Sequence, residues 1–346
     1  MSQATASTRS QIWTQVDALV DHAPDVAGLR AHGLHLLAAR RWRALGRPVP
    51  GDLRQAERVA ALMAMTTPGV LRQIRETCSG PLVLMKGLEV GVRYPDTALR
   101  AFRDVDLLAA DPEAAHAALV AAGFRPVGLD MSYDDRHHLS PLLAPGTPVI
   151  VEIHRRVEWP GWGRPPATEQ LLAAAVPSAT GVPGLGALAP EHHVLVVAAH
   201  SWSGAPLRRA LDLVDLELLA AEAHPGALAA LARAWDVDRL WRFLDSCAGA
   251  LLRGDAAALP WWAPDVRALR DRTVLENHVS RVVAPFSVLP PRRAAGAALS
   301  EAGAAVLPRE GEGWPAKLRR VRSSARHPGA AVRGRPGARP PGAARG

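Results

Sequence analysis

The stretch that decides the fold runs Leu82-Val83-Leu84-Met85-Lys86-Gly87 and resumes at Arg103-Asp104-Val105-Asp106-Leu107-Leu108. The four apolar residues follow the breaker pair Gly80-Pro81 and read as a buried strand. Lys86-Gly87 ends it, and the apolar run from Leu88 to Val92 reads as a helix entered through a glycine turn. The second segment is a strand that begins around Asp104. Side chains alternate across a strand, so Asp104 and Asp106 point to the same side. Pro112, at a helix start, leads an amphipathic helix from Glu113 to Ala122 that stops at Gly123. The order is a compact β-α-β-α unit.

On its C-terminal side, His137 to Leu143 and Thr147 to Arg155 flank Ala144-Pro145-Gly146 and read as a hairpin. Its second strand, Val149 to His154, places Ile150, Glu152 and His154 on one face and Val149, Val151 and Ile153 on the other. Residues 1–78 carry helical periodicity (Ile12, Val16, Leu19 and Val20; Leu29, His32, Leu36 and Leu37), with Pro68-Gly69 expected to break the helix that starts after Gly51. Helical spacing returns from Pro190 onward. Four units are therefore expected: an N-terminal helical region (1–78), a core (79–185), a C-terminal helical region (186–316) and a basic tail (317–346) of Ala, Gly, Pro and Arg that is expected to be disordered.

The formal charge of +8 suggests a polyanionic partner until its distribution is considered. Nine basic residues and no acid lie between Lys317 and Gly346, which leaves 32 bases against 33 acids in the body. Only two lysines occur, Lys86 and Lys317, so an interior lysine asks for an explanation. Cys78 and Cys247 fit neither a disulfide framework nor a metal spacing and are expected to be packed free thiols in a reducing cytoplasm. No apolar run approaches the roughly 20 residues of a membrane span, and no leader pattern is present, so a membrane or export role is not expected.

Two Asp-Val-Asp pairs occur, and a chain of this length holds about one such pair by chance. Asp236 and Asp238 precede a helix, where acids cap amides and favour the dipole. Asp104 and Asp106 instead open an apolar strand. Two carboxylates side by side are costly unless a cation neutralises them, and such oxygen ligands suit Mg²⁺ with bound waters and phosphates. Glu152 adds a third acid if its strand pairs beside theirs. Lys86-Gly87 sits at a strand-to-helix turn, where amides, a close-approach glycine and a lysine charge suit a triphosphate.

Leu84-Met85-Lys86-Gly87, Tyr94-Pro95-Asp96, Leu99 to Leu108, Ala122-Gly123-Phe124, His137-His138 and Val151-Glu152-Ile153-His154 together resemble the uncharacterised nucleotidyltransferase family of the polymerase-β-like superfamily. The resemblance runs from about Leu36 to Leu219. It implies an α+β fold, a small mixed sheet flanked by helical regions, and Mg²⁺-dependent transfer of a nucleoside monophosphate from a nucleoside triphosphate with pyrophosphate release. It implies metal-binding carboxylates at Asp104, Asp106 and Glu152, the last favouring deprotonation of the attacking hydroxyl, with two Mg²⁺ ions expected. Lys86 and Gly87 replace the superfamily's Gly-Ser or Gly-Gly turn as phosphate contacts. Arg100 matches a recurring arginine, and His154 is a further nucleotide or supporting contact. An acceptor hydroxyl or phosphate on a small molecule, sugar or peptide is expected, as for accessory biosynthetic enzymes.

Three other readings compete. The fold could be kept without chemistry, as a nucleotide-binding or antitoxin-like partner, although the three acids argue against this. His192, His193, His200 and Asp212 or Asp215 could serve a metal-dependent phosphohydrolase, but no His-Asp dyad or HExxH spacing is present. His200 is expected to pack between helices, and Asp212 and Asp215 to form surface ion pairs with Arg208 and Arg209. Nucleic acid would be met only non-specifically, through the basic tail. Trp241, Trp261 and Trp262 are read as helix packing rather than a stacking platform.

Overall fold

A computed structural model describes residues 3–127, 137–306, 313–315 and 317; the expected disorder of the tail falls outside this range save Lys317. The N-terminal region forms α1 (Gln3–Asp21), α2 (Val26–Ala31), α3 (His35–Ala44) and α4 (Gly51–Thr77). Contrary to the expected break, α4 runs unbroken through Pro68. An interior proline loses a hydrogen bond and costs about 3 kcal/mol. Burial of Val70, Leu71 and Ile74 beyond it, each about 1.5–3 kcal/mol, outweighs that cost.

Seven strands follow, β1 (Leu82–Leu84), β2 (Asp104–Ala109), β3 (Arg125–Pro126), β4 (Leu142–Leu143), β5 (Ile150–His154), β6 (Val176–Pro177) and β7 (Gly186–Ala187). They form one mixed sheet in the order β3-β4-β5-β2-β1-β7-β6. The pairs β2/β5 and β1/β7 are parallel, while β1 and β2 are antiparallel. The helix after Gly87 is only one turn, α5 (Leu88–Gly91), before α6 (Pro112–Ala121) and α7 (Thr168–Ala173). Asp111 caps α6 by accepting from the Ala114 amide at 2.9 Å.

Alternation along the central strands divides the core in two. Leu82, Leu84, Val105, Leu107, Val151 and Ile153 pack with Leu71 and Ile74 of α4 and Leu119 of α6. The other face turns Val83, Met85 and Leu108 toward a larger core that joins α1 and α3 to the C-terminal helices. Those are α8 (Pro190–Gly204), α9 (Ala210–Ala220), α10 (Pro225–Ala234) and α11 (Asp238–Leu252), then α12 (Pro264–Ala268), α13 (Val274–Val283), α14 (Pro285–Val288) and α15 (Pro291–Val306). The two helical flanks thus pack on each other over this face of the sheet.

Several smaller expectations are resolved. Cys78 and Cys247 are free and buried. Asp236 and Asp238 are structural, yet neither caps α11; they pair with Arg293 and Arg242, each at 2.6 Å. Trp262 packs on Trp202 and Phe243, whereas Trp261 is exposed. Among the described residues no helix is long and apolar enough to cross a membrane.

Candidate active site

The parallel pairing of β2 with β5 sets Asp106 directly opposite Glu152, with Asp104 opposite Ile150 and Leu108 opposite His154. All of these share the sheet face that α8 covers. Asp106 is 2% exposed and lies within reach of two nitrogens, Lys86 Nζ at 3.1 Å and His154 Nε2 at 3.0 Å. One oxygen or nitrogen each of Asp106, Glu152 and His154 lie within 4.8 Å of one another. Asp104 stands outside that tightest group. Its carboxylate has no hydrogen-bond or ion-pair partner among the described residues, although its charge is felt by both Asp106 and Glu152.

Too many acids share this pocket for the cations facing them. Burial, then Asp106 and Asp104, push the Glu152 carboxyl up to about 8. Burial and Asp106 likewise raise Asp104. Asp106 moves the other way: burial opposes its charge, but Lys86 and the His154 hydrogen bond hold it well below the usual carboxylate range. Burial also opposes the Lys86 charge, and Asp106 and Asp104 more than restore it, so the ammonium stays protonated. A crowded set of oxygen donors, two of them without a hydrogen bond of their own, fits a hard divalent cation. The His154 imidazole beside them also suits Mn²⁺.

The turn after β1 is built for close approach. Gly87 takes φ +62°, and a Cβ there would lie 3.0 Å from the Asp104 carbonyl oxygen. With α5 a single turn, little helix dipole is available there, and Lys86 carries the positive charge. Arg100, expected to contact nucleotide, is instead buried. Its Nε and Nη2 donate to Asp215 at 2.9, 3.0 and 2.7 Å, and its Nη1 donates to the Gly87 carbonyl at 3.2 Å. Asp215 is therefore no surface residue; it also accepts from the Tyr94 hydroxyl at 2.6 Å. Asp212 alone keeps the expected ion pair, with Arg209.

The histidines separate into two sets. His193 is buried and its Nε2 donates to the Met85 carbonyl at 2.7 Å, while His192 packs edge-on to Trp235. Burial holds the His193 ring neutral, down to about 3. With Asp215 engaged elsewhere, the residues of the phosphohydrolase reading do not converge. His200, expected between helices, reaches the site: its ring nitrogens lie 3.2 and 3.4 Å from Lys86 Nζ, and its Nδ1 lies 2.8 Å from Glu158 Oε2. His137 and His138 pack at a tilt against His154, with ring centroids 5.3 and 5.5 Å from it. Glu158, in a loop past the strand end, was not picked out from the sequence, and His200, weighed there only as a phosphohydrolase ligand or a packing residue, lies on a helix 114 positions from Lys86.

Residues 26–253, well over half the chain, match the family described as uncharacterised nucleotidyltransferase. The chain belongs to that family. No curated protein and no solved structure matches it. The uncharacterised nucleotidyltransferase family is a family of transferases, and the present member is an enzyme of that kind. The match begins at α2 and closes at the end of α11, so it includes the sheet, the acids and α8.

Proposed function

We propose that this enzyme transfers a nucleoside monophosphate from a nucleoside triphosphate to a hydroxyl or phosphate of a small-molecule, sugar or peptide acceptor, releasing pyrophosphate, on a polymerase-β-like catalytic core (79–185). The observation that carries the reading is the register of β2 on β5, which sets Glu152 beside Asp106 with Asp104 on the same face. Asp104, Asp106 and Glu152 would hold Mg²⁺, which when bound polarises the α-phosphate and neutralises the leaving pyrophosphate. Lys86 supplies a point charge for the triphosphate. Gly87, lacking Cβ, lets phosphate oxygens approach the backbone. His154 orients Asp106 through its 3.0 Å hydrogen bond, and Arg100 holds the turn through the Gly87 carbonyl. The buried free thiols accord with a reducing, cytoplasmic setting.

The test is a screen of the four nucleoside triphosphates with Mg²⁺ and with Mn²⁺, reading pyrophosphate and nucleotidylated product. Turnover that chelator abolishes and Asp106→Ala eliminates is expected. Nucleotide binding with silence across all four would point to the same fold kept as a catalytically silent partner. Near-normal, metal-dependent transfer by Asp106→Ala would remove the assignment of the acids.

A further inference from the structure

We propose that Glu158 and His200 form the dyad that takes the proton from the acceptor hydroxyl, and that the acceptor sits in the cavity lined by the segments that follow them in sequence. The inference rests on the nucleotidyl-transfer reading and adds the proton's destination and the acceptor's seat. His200 Nδ1 lies 2.8 Å from Glu158 Oε2. Burial would push the Glu158 carboxyl up, but the hydrogen bond from His200 and the nearby Lys86 ammonium hold it below the usual carboxylate range. A carboxylate that stays ionised fixes the Nδ1–H tautomer and leaves Nε2 as the acceptor nitrogen.

That Nε2 faces Lys86 Nζ at 3.2 Å, and Lys86 in turn faces Asp106 at 3.1 Å. The ammonium therefore covers the base as well as the acid. When Lys86 turns to the triphosphate, Nε2 is uncovered at the moment a nucleotide is present. The His200 side chain is 33% exposed, so an acceptor can reach it and a proton can leave it.

A cavity of about 320 Å³ is lined by neither member of the dyad but by residues that follow each of them closely in sequence. Pro160 and Trp162 come from the loop that carries Glu158, and Trp202 and Ser203 from the helix that carries His200. Ser203 is three residues beyond His200, so the two share a helix face about 5–6 Å apart. Arg281 and Glu301 complete the rim with one charge of each sign. The volume is at the small end of ligand sites, about 300–1,000 Å³. Indole walls with hydroxyl and charged rim groups suit a compact hydroxylated molecule, such as a single sugar, and not a polymer.

The step balances. The acceptor oxygen bonds to the α-phosphorus as its proton passes to His200 Nε2. The bond from the α-phosphorus to the bridging oxygen breaks, and pyrophosphate leaves with the electron pair. The imidazolium is held by Glu158 and returns its proton to solvent.

The experiment uses the full chain, the nucleotide that supports turnover in the screen, and water and glycerol as acceptors. Affinity for the Mg²⁺-nucleotide is measured by calorimetry alongside pyrophosphate release. His200→Ala is expected to keep nucleotide affinity within threefold, lose about 10²–10⁴-fold in kcat, and regain part of it with added imidazole. Glu158→Gln is expected to lose kcat and to abolish the Nδ1–H tautomer in the ¹⁵N spectrum of the histidine rings. Wild-type turnover with His200→Ala within threefold of it, or a loss that imidazole does not restore, overturns the dyad and leaves the transferase reading intact. A wild type that neither binds nucleotide nor releases pyrophosphate overturns both.

Discussion

Replacing Asp215 with asparagine leaves the Arg100 guanidinium buried without its counter-charge, and the surrounding geometry sets the scale of the loss. Asp215 is 1% exposed and Arg100 7%, and they share three contacts between 2.7 and 3.0 Å. Removing one member of such a pair costs about 3–5 kcal/mol, because the other charge stays unpaired out of water. Arg100→Gln orphans the carboxylate and should cost the same. In the double variant both charges are gone, so its cost should fall short of the sum by about 2–3 kcal/mol. Against a total stability of about 5–15 kcal/mol, and with an unfolding entropy of about 0.7 kcal/mol/K for a chain of this length, each single variant should melt about 4–7 °C lower. Circular-dichroism melts and urea titrations of the four proteins measure this cycle directly. Nucleotide affinity, followed in parallel, should fall only as far as the Gly87 carbonyl loses its 3.2 Å contact from Arg100. Additive losses, or an Arg100→Gln protein of normal stability that no longer binds nucleotide, would refute the buried supporting role and restore Arg100 to the phosphates.

Asp104→Ala and Asp106→Ala should each lower pyrophosphate release by roughly a thousandfold or more, since metal-held charge stabilisation supplies several kcal/mol; steady-state assays at saturating Mg²⁺ decide this. Gly87→Ala places a Cβ 3.0 Å from the Asp104 carbonyl oxygen at φ +62°, so it should cost about 1–3 kcal/mol and depress turnover; an unchanged melt and rate would show that the turn is not constrained. Away from the site, burial, then Asp245, raise the Glu217 carboxyl to about 7 from 4.5. A raised acid adds stability that is complete below its unfolded pKa and is lost as pH climbs through its folded one. The protein should therefore be about 1.4 kcal/mol less stable at pH 8.5 than at pH 6 on this account, and Glu217→Gln should remove that share of the difference between melts at the two pH values.

What could be read in advance was whatever a strand's two-residue period determines. Asp104 with Asp106, and Glu152 with His154, had to share faces, and one register then brought Asp106 beside Glu152. Partners reached across the chain carry no such mark. Arg100 looked like a phosphate ligand because it sits just ahead of the acids, but its counter-ion is 115 positions away on α9, and only the packing of that helix turns the guanidinium inward. Pro68 is a similar case: the local signal to stop α4 was sound, and burial beyond it overrode the signal.

His200 shows why the catalytic surroundings were harder to see than the acids. Its helix α8 is apolar nearly all round, with Val194 through Ala199 buried, so periodicity marks a core helix and gives no reason to single out one histidine on it. Two turns separate His200 from His193, which places both on the side of α8 facing the end of β1. His193 grips the Met85 carbonyl there, and His200 meets Lys86 one residue further along. The anchoring contact and the site contact thus come from one helix face. A change at His193 should consequently disturb the site as well as the fold. His193→Gln, whose amide can still donate to Met85, should keep both, whereas His193→Leu leaves a buried carbonyl unpaired, at about 1–3 kcal/mol, and lets α8 withdraw His200 from Lys86. Equal turnover in the two variants would show that α8 is held in place without this contact.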